Sequence, residues 1–95
     1  MSDVIQGAVE TLNRRTDGSF DGSARFVIDG EGTIMLDRAG ARAAEEDADV
    51  TMTADADTFR AIIDGELDPT SAFMSGRLKI DGDMAAAMKL ASALN

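Results

Sequence analysis

D-P-T-S-A-F-M-S-G-R-L-K-I-D-G-D-M-A-A-A-M-K-L-A-S-A-L, residues 68–94, decides the fold of this chain. Asp68-Pro69 reads as a helix start, because Pro at the first helical position lacks an N–H that would be unpaired there in any case. Ala72, Phe73 and Met74 make a compact apolar knot closed by Gly76. Arg77-Leu78-Lys79-Ile80-Asp81 then alternates polar and apolar with period two, the pattern of a half-buried strand. Gly82 ends that strand. Asp83 is placed to cap a helix, since its side-chain oxygen can accept the unpaired N–H groups of a first turn. Met84, Ala87, Met88, Ala91 and Leu94 recur at three- and four-residue spacing with Leu90 beside them, which predicts one apolar helix face. A last strand closed over by a Met- and Ala-rich helix is expected.

Outward from that stretch, the chain reads as alternating helix and strand signals. Val4, Ile5, Ala8, Val9 and Leu12 share a stripe, so residues 3–12 are expected to be an amphipathic helix, with Asp3 and Gln6 spaced as a capping box. Arg14 and Arg15 suit the negative end of its dipole. Residues 16–22 read as a loop that Phe20 anchors to the core. Ala24, Phe26 and Ile28 alternate with Arg25, Val27 and Asp29 as a first strand, and Asp29-Gly30-Glu31-Gly32 is a hairpin signal. Residues 33–38 follow as a second strand, apolar on both faces at Ile34-Met35-Leu36, and residues 41–45 as a weak edge strand. Val50, Met52 and Ala54 alternate with Thr51 and Thr53. Asp55 then caps a short helix that buries Phe59, Ile62 and Ile63 and stops at Gly65.

The expected class is α+β, with the first three strands as an antiparallel meander. The helices before the fifth strand allow a parallel crossover from the fourth. Polar outward positions at Arg25, Thr51, Thr53, Arg77 and Lys79 predict one wet sheet face and one covered by helices.

Composition sets limits on function. The chain has 95 residues, consistent with a single domain over residues 1–95. Its formal net charge is −9, and Arg14-Arg15 is only a pair, so binding to polyanionic nucleic acid through bulk electrostatics is disfavoured. With no Cys and no His, disulfides, thiolate chemistry, the usual zinc ligand sets and His general-base catalysis are excluded. Asp47, Asp49, Asp55 and Asp57 do not fit a calcium loop, which needs Gly at its sixth position; counting from Asp47 that position is Met52, and from Asp55 it is Arg60. The serines have no His partner, and Gly30 and Gly32 give no phosphate loop. No metal, no cofactor and no enzymatic activity are expected. No secretory leader is read at the N-terminus, and a cytoplasmic setting of bacterial type is expected.

What remains is apolar. There are four Phe, no Trp, no Tyr and six Met, so the layer between helices and sheet is filled by flexible and small side chains. Two outcomes are open: an incompletely filled layer with a lipid-sized pocket, or a fully packed core.

The segment from residue 47 to 94 resembles the second half of sterol carrier protein 2 (SCP2-like) domains. The matching residues are A-D-V-T-M-T (48–53), D-G-E-L-D-P (64–69), S-A-F-M-S-G-R-L-K-I-D-G-D-M (71–84) and A-M-K-L (87–90). The first half matches in its order of elements, with G-T-I-M-L-D (32–37) in the second strand. The resemblance implies a five-stranded, mostly antiparallel sheet with helices on one face and an apolar tunnel between them. It implies carriage, without covalent catalysis, of a lipid or acyl-chain ligand: a fatty acid, a fatty acyl-CoA, a phospholipid or a sterol. Carried onto this chain, the tunnel-lining candidates are Phe59, Ile62 and Ile63, then Phe73 and Met74, Leu78 and Ile80, and finally Met84, Met88 and Ala91. The alternative function is a ligand-free interaction or regulatory module, or a homodimer, acting with a lipid-pathway enzyme. Transient enzyme or membrane contact fits either reading, and the oligomeric state is left as monomer or homodimer.

Overall fold

The computed structural model describes residues 3–16 and 20–94. In chain order it has α1 (Asp3–Arg15), β1 (Ala24–Ile28), β2 (Gly32–Asp37), β3 (Gly40–Ala43), β4 (Val50–Ala54), α2 (Ala56–Ile63), α3 (Pro69–Met74), β5 (Lys79–Gly82) and α4 (Met84–Leu94). Residues 17–19 of the expected loop lie outside the described residues, and Phe20 is buried at its end. The helix starts follow the capping residues. Asp55 Oδ1 accepts the Thr58 N–H at 2.7 Å, Asp68 Oδ1 that of Thr70 at 3.3 Å, and Asp83 Oδ1 that of Ala85 at 2.8 Å. Each bond satisfies a first-turn donor that the helix itself cannot. Asp3 instead stands within the first turn of α1, which runs through Arg15.

The fold is α+β, and its sheet is five-stranded in the order β3-β2-β1-β4-β5. The meander is as expected: β1 and β2 pair antiparallel, as do β2 and β3. The parallel crossover is not where the sequence pointed. β4 and β5 pair antiparallel, with Thr53 opposite Lys79 and Val50 opposite Gly82. α2 alone would return the chain to the starting end of β4. The stretch through α3 carries it back to the other end before β5 begins. The parallel pair is β1 with β4, Phe26 beside Met52, and the segment 44–49 makes that crossover.

The edge strand β3 is held by α1 rather than by a further strand. The Ala41 N–H donates to Asn13 Oδ1 at 2.8 Å, and Asn13 Nδ2 donates to the Ala41 carbonyl at 3.2 Å. One side chain thus occupies both backbone groups of Ala41 that an edge would leave free.

The face under the helices carries Ala24, Phe26 and Ile28, with Ile34, Leu36, Val50, Met52 and Ala54 from neighbouring strands, all in one apolar cluster. α1 adds Ile5, Ala8 and Leu12 to it, and α2 adds Phe59, Ile62 and Ile63. The other face was expected to be wet, yet Met35 on it is 2% exposed and stands apart from that cluster. Its register neighbours are Arg25 and Arg42. Both arginines reach the crossover segment, Arg25 Nη1 to the Glu46 carbonyl at 3.3 Å and Arg42 Nη2 to Glu46 Oε2 at 3.2 Å. The arginine stems and that segment roof Met35, as long cationic side chains do over apolar surface. Arg77 lies before β5, and its Nη2 donates to the Thr58 hydroxyl at 3.3 Å.

Candidate functional site

β5 is a four-residue edge strand, and α3 before it has only six residues. Beside these two short elements, and against α4, lies a groove. Its floor is Met52 of β4 and Ile80 of β5; one wall is Pro69, Thr70, Phe73 and Met74 on α3, and the other is Met84, Ala87, Met88, Ala91 and Ser92 on α4. Its volume is about 510 Å³, within the roughly 300–1,000 Å³ of small-molecule sites.

The rotation of α4 makes this groove. The spacing of Met84, Ala87, Met88, Ala91 and Leu94 predicts their burial together. The structure buries Ala87, Leu90 and Leu94 as expected, adds Ala86, leaves Ala91 half-buried and turns the two methionines outward. Met84 is 51% and Met88 71% exposed, and across the groove Phe73 is 43% and Met74 80% exposed. All four of these large exposed apolar side chains line the groove. An apolar patch gathered in one place marks an interaction site far more than scattered exposure does.

Six of the ten expected lining residues meet here: Phe73, Met74, Ile80, Met84, Met88 and Ala91. The other four do not reach it. Phe59, Ile62, Ile63 and Leu78 are each 3% exposed and belong to the packed core. Five lining residues were outside the expectation: Met52, Pro69, Thr70, Ala87 and Ser92. Met52 carried a usable signal, since it shares the inward phase of β4 and lies opposite Ile80. The space is an open groove at the β5 edge; between the sheet and α1 and α2 the layer is packed.

The chemistry of the lining is simple. Thr70 and Ser92 contribute hydroxyls, no charged side chain takes part, and the remaining walls are apolar. The site can remove hydrocarbon from water at about 25 cal/mol per Å², and it offers few polar atoms to orient a head group. α4 is tied to the rest of the fold on its far side. Lys89 Nζ lies 3.6 Å from Asp21 Oδ2, and Arg38 Nη2 lies 3.2 Å from Asp21 Oδ1. The hydrogen bond from Arg38, then the charge of Lys89, holds the Asp21 carboxyl below its ordinary range. These groups are exposed, so such pairs position more than they stabilise. No helix among the described residues is long and apolar enough to cross a membrane.

Known proteins share this sequence pattern and this fold. The SCP-2 sterol transfer family matches residues 9–95. The hydroxysteroid dehydrogenase-like protein 2 of Xenopus tropicalis is 40% identical over 92 residues, covering 87% of this chain but 22% of that protein. The chain thus spans less than a quarter of that relative's length. The sterol carrier protein domain 2 of Helicoverpa armigera has a solution structure similar to this fold, with a TM-score of 0.69 and 25% identity over 95% of this chain and 81% of that one. The sterol carrier protein 2 of Aedes aegypti, solved in complex with the C16 fatty acid palmitate, shares the fold with a TM-score of 0.79 at 18% identity, covering 99% of this chain and 96% of that one.

Proposed function

The chain belongs to the SCP-2 sterol transfer family, and from that premise we propose that it is a non-enzymatic carrier that holds the hydrocarbon part of a lipid in the groove between α3, β5 and α4. The observation that carries this reading is the gathering of Phe73, Met74, Met84 and Met88 on one apolar groove. Leaving these side chains in water costs free energy that an occupant would recover. Methionine suits the task, because its unbranched thioether re-packs around ligands of different shape. The palmitate complex of the Aedes aegypti protein supports an acyl chain as the occupant, since the two chains share a fold.

The test is native mass spectrometry of freshly purified protein, followed by organic extraction. A discrete adduct that extracts as an acyl lipid or sterol supports the carrier and names the cargo. A clean apo mass that does not shift with added fatty acid or acyl-CoA removes it.

A second reading has its own observation. Relatives named as hydroxysteroid dehydrogenase-like proteins are more than four times the length this chain spans, so a domain of this kind can sit beside other machinery. The same exposed side chains would then dock a lipid-pathway enzyme or a second copy. Size-exclusion chromatography with light scattering separates the two, because the docking reading requires a dimer or a captured partner.

A further inference from the structure

Two spaces lie on opposite sides of one apolar partition. The first is the groove, whose deepest wall is Met52, 3% exposed. The second is a cleft of about 230 Å³ between α1 and α2, with Gly7, Phe59 and Ile63 among its walls. Between them the partition is continuous. Met52 stands beside Phe26 in the β1–β4 register, and the Phe26 ring meets that of Phe59 at 5.2 Å between centroids, tilted by 53°. Met52 therefore faces the groove, Phe59 faces the cleft, and Phe26 joins them.

From this arrangement we infer that Met52 is the stop that sets how long a hydrocarbon chain the groove accepts. The inference rests on the carrier reading and adds to it a specificity-determining residue. Three features single out Met52. It comes from β4, which is paired with a strand on either side, rather than from the exposed mouth. It is the one buried methionine of the groove, while Met74, Met84 and Met88 are exposed at the mouth. Behind it stand two rings that cannot shorten, whereas its own thioether chain is the flexible element of the partition. A chain lying in the groove between α3 and α4 gains buried area with every carbon until its inner end meets Met52. Further carbons must turn back toward water and add nothing.

The test is binding of saturated n-alkanols from about eight to twenty carbons, a range in which each newly buried carbon raises affinity about fourfold. Binding is read by displacement of a fluorescent fatty-acid analogue. The wild-type protein is expected to gain affinity with length and then level off. Met52→Ala removes the outer three atoms of the side chain and should move that break to chains longer by about three carbons. Met52→Phe should move it to shorter chains. Met52→Val, a residue that strands favour, keeps the test open if Met52→Ala does not fold. The position of the break is the readout, because general loosening of the core changes affinity without moving it. A break at the same length in all folded variants overturns the inference and leaves the carrier standing. Alkanols that fail to bind the wild-type protein at any length overturn the carrier reading itself.

Discussion

Met52 and Ile80 stand opposite each other on β4 and β5, and this antiparallel pair is the floor on which both walls of the groove rest. Its depth is therefore set by strands, while its mouth is set by two helices. Ala91 on α4 overlooks that floor and is small and half-buried. Ala91→Phe is expected to narrow the groove over its floor and weaken lipid uptake. Because the site is open, the cost of the larger side chain should fall at or below the low end of the roughly 1–3 kcal/mol of overpacking. Lipid titration alongside thermal unfolding checks both statements; undiminished affinity in a folded variant would place the ligand elsewhere.

Met35 supplies a stability prediction against the outward pattern of the sheet. It is buried on the face away from the helices, under Arg25, Arg42 and the segment 44–49. Met35→Ala is expected to cost about 2 kcal/mol or more, as a core position would. Denaturant unfolding measures it. A loss below about 0.5 kcal/mol, typical of surface changes, would mean that the roof collapses onto the gap.

The same residues indicate what was legible in the chain. Period two in Ala24–Ile28 and Val50–Ala54 located strands whose observed burial alternates in the same phase. Asp55 and Asp83 as caps and Pro69 as a first helical residue located three helix starts, because these signals are local chemistry. The face of α4 was not legible. Its sequence M-A-A-A-M-K-L-A-S-A-L is apolar nearly all round, so spacing does not choose between Met84 with Met88 and Ala86 with Leu90. Packing chose the smaller alanines for close approach and left the methionines at the groove. Met35 was hidden for a related reason, since its cover comes from a crossover fixed only by strand order. Phe59, Ile62 and Ile63 were rightly placed on the inner side of α2, but an apolar inner side reads alike whether it meets a ligand or other side chains.

Two glycines are expected to respond in opposite directions. Gly82 has φ +108°, and a Cβ there would sit 2.5 Å from the Asp49 carbonyl oxygen, part of the backbone. That oxygen also accepts the Asp83 N–H at 2.8 Å, so it cannot move away freely. Gly82→Ala should cost about 1–3 kcal/mol from backbone strain. Gly7 lies inside α1, and a Cβ there would meet nothing within 4 Å. Gly7→Ala should stabilise the protein by up to about 1 kcal/mol through helix propensity. Melting temperatures of the two variants should fall on either side of the wild type.

Asp55 predicts a pH-dependent contribution from its cap. Hydrogen bonds from the Thr58 backbone N–H, and then from the Thr58 hydroxyl, hold its carboxyl below the ordinary aspartate range. A carboxyl depressed in the folded state adds stability above its unfolded pKa of about 4, and that stability is lost as pH falls through the folded value. Asp55→Ala should therefore melt below the wild type at neutral pH, and the gap should narrow as pH falls below about 4. A gap that stays constant down to about pH 3 would show that the cap acts through geometry rather than charge.

Met88 and Leu90, two residues apart on α4, separate ligand binding from folding. Met88 is 71% exposed on the groove wall, and Leu90 is fully buried in the core. Met88→Gln exchanges side chains of similar length and near-equal helix propensity. It should change stability by no more than about 0.5 kcal/mol, yet weaken lipid binding by placing an amide against the hydrocarbon. Leu90→Ala should instead cost about 2–5 kcal/mol through lost burial and the cavity left behind. If the folded fraction of Leu90→Ala is isolated in stabilising salt, its lipid affinity should remain close to wild type, since Leu90 does not line the groove. The paired measurement is unfolding free energy and lipid affinity for both variants. The groove assignment would be overturned by a Met88→Gln protein that binds like the wild type while Leu90→Ala, once folded, does not bind.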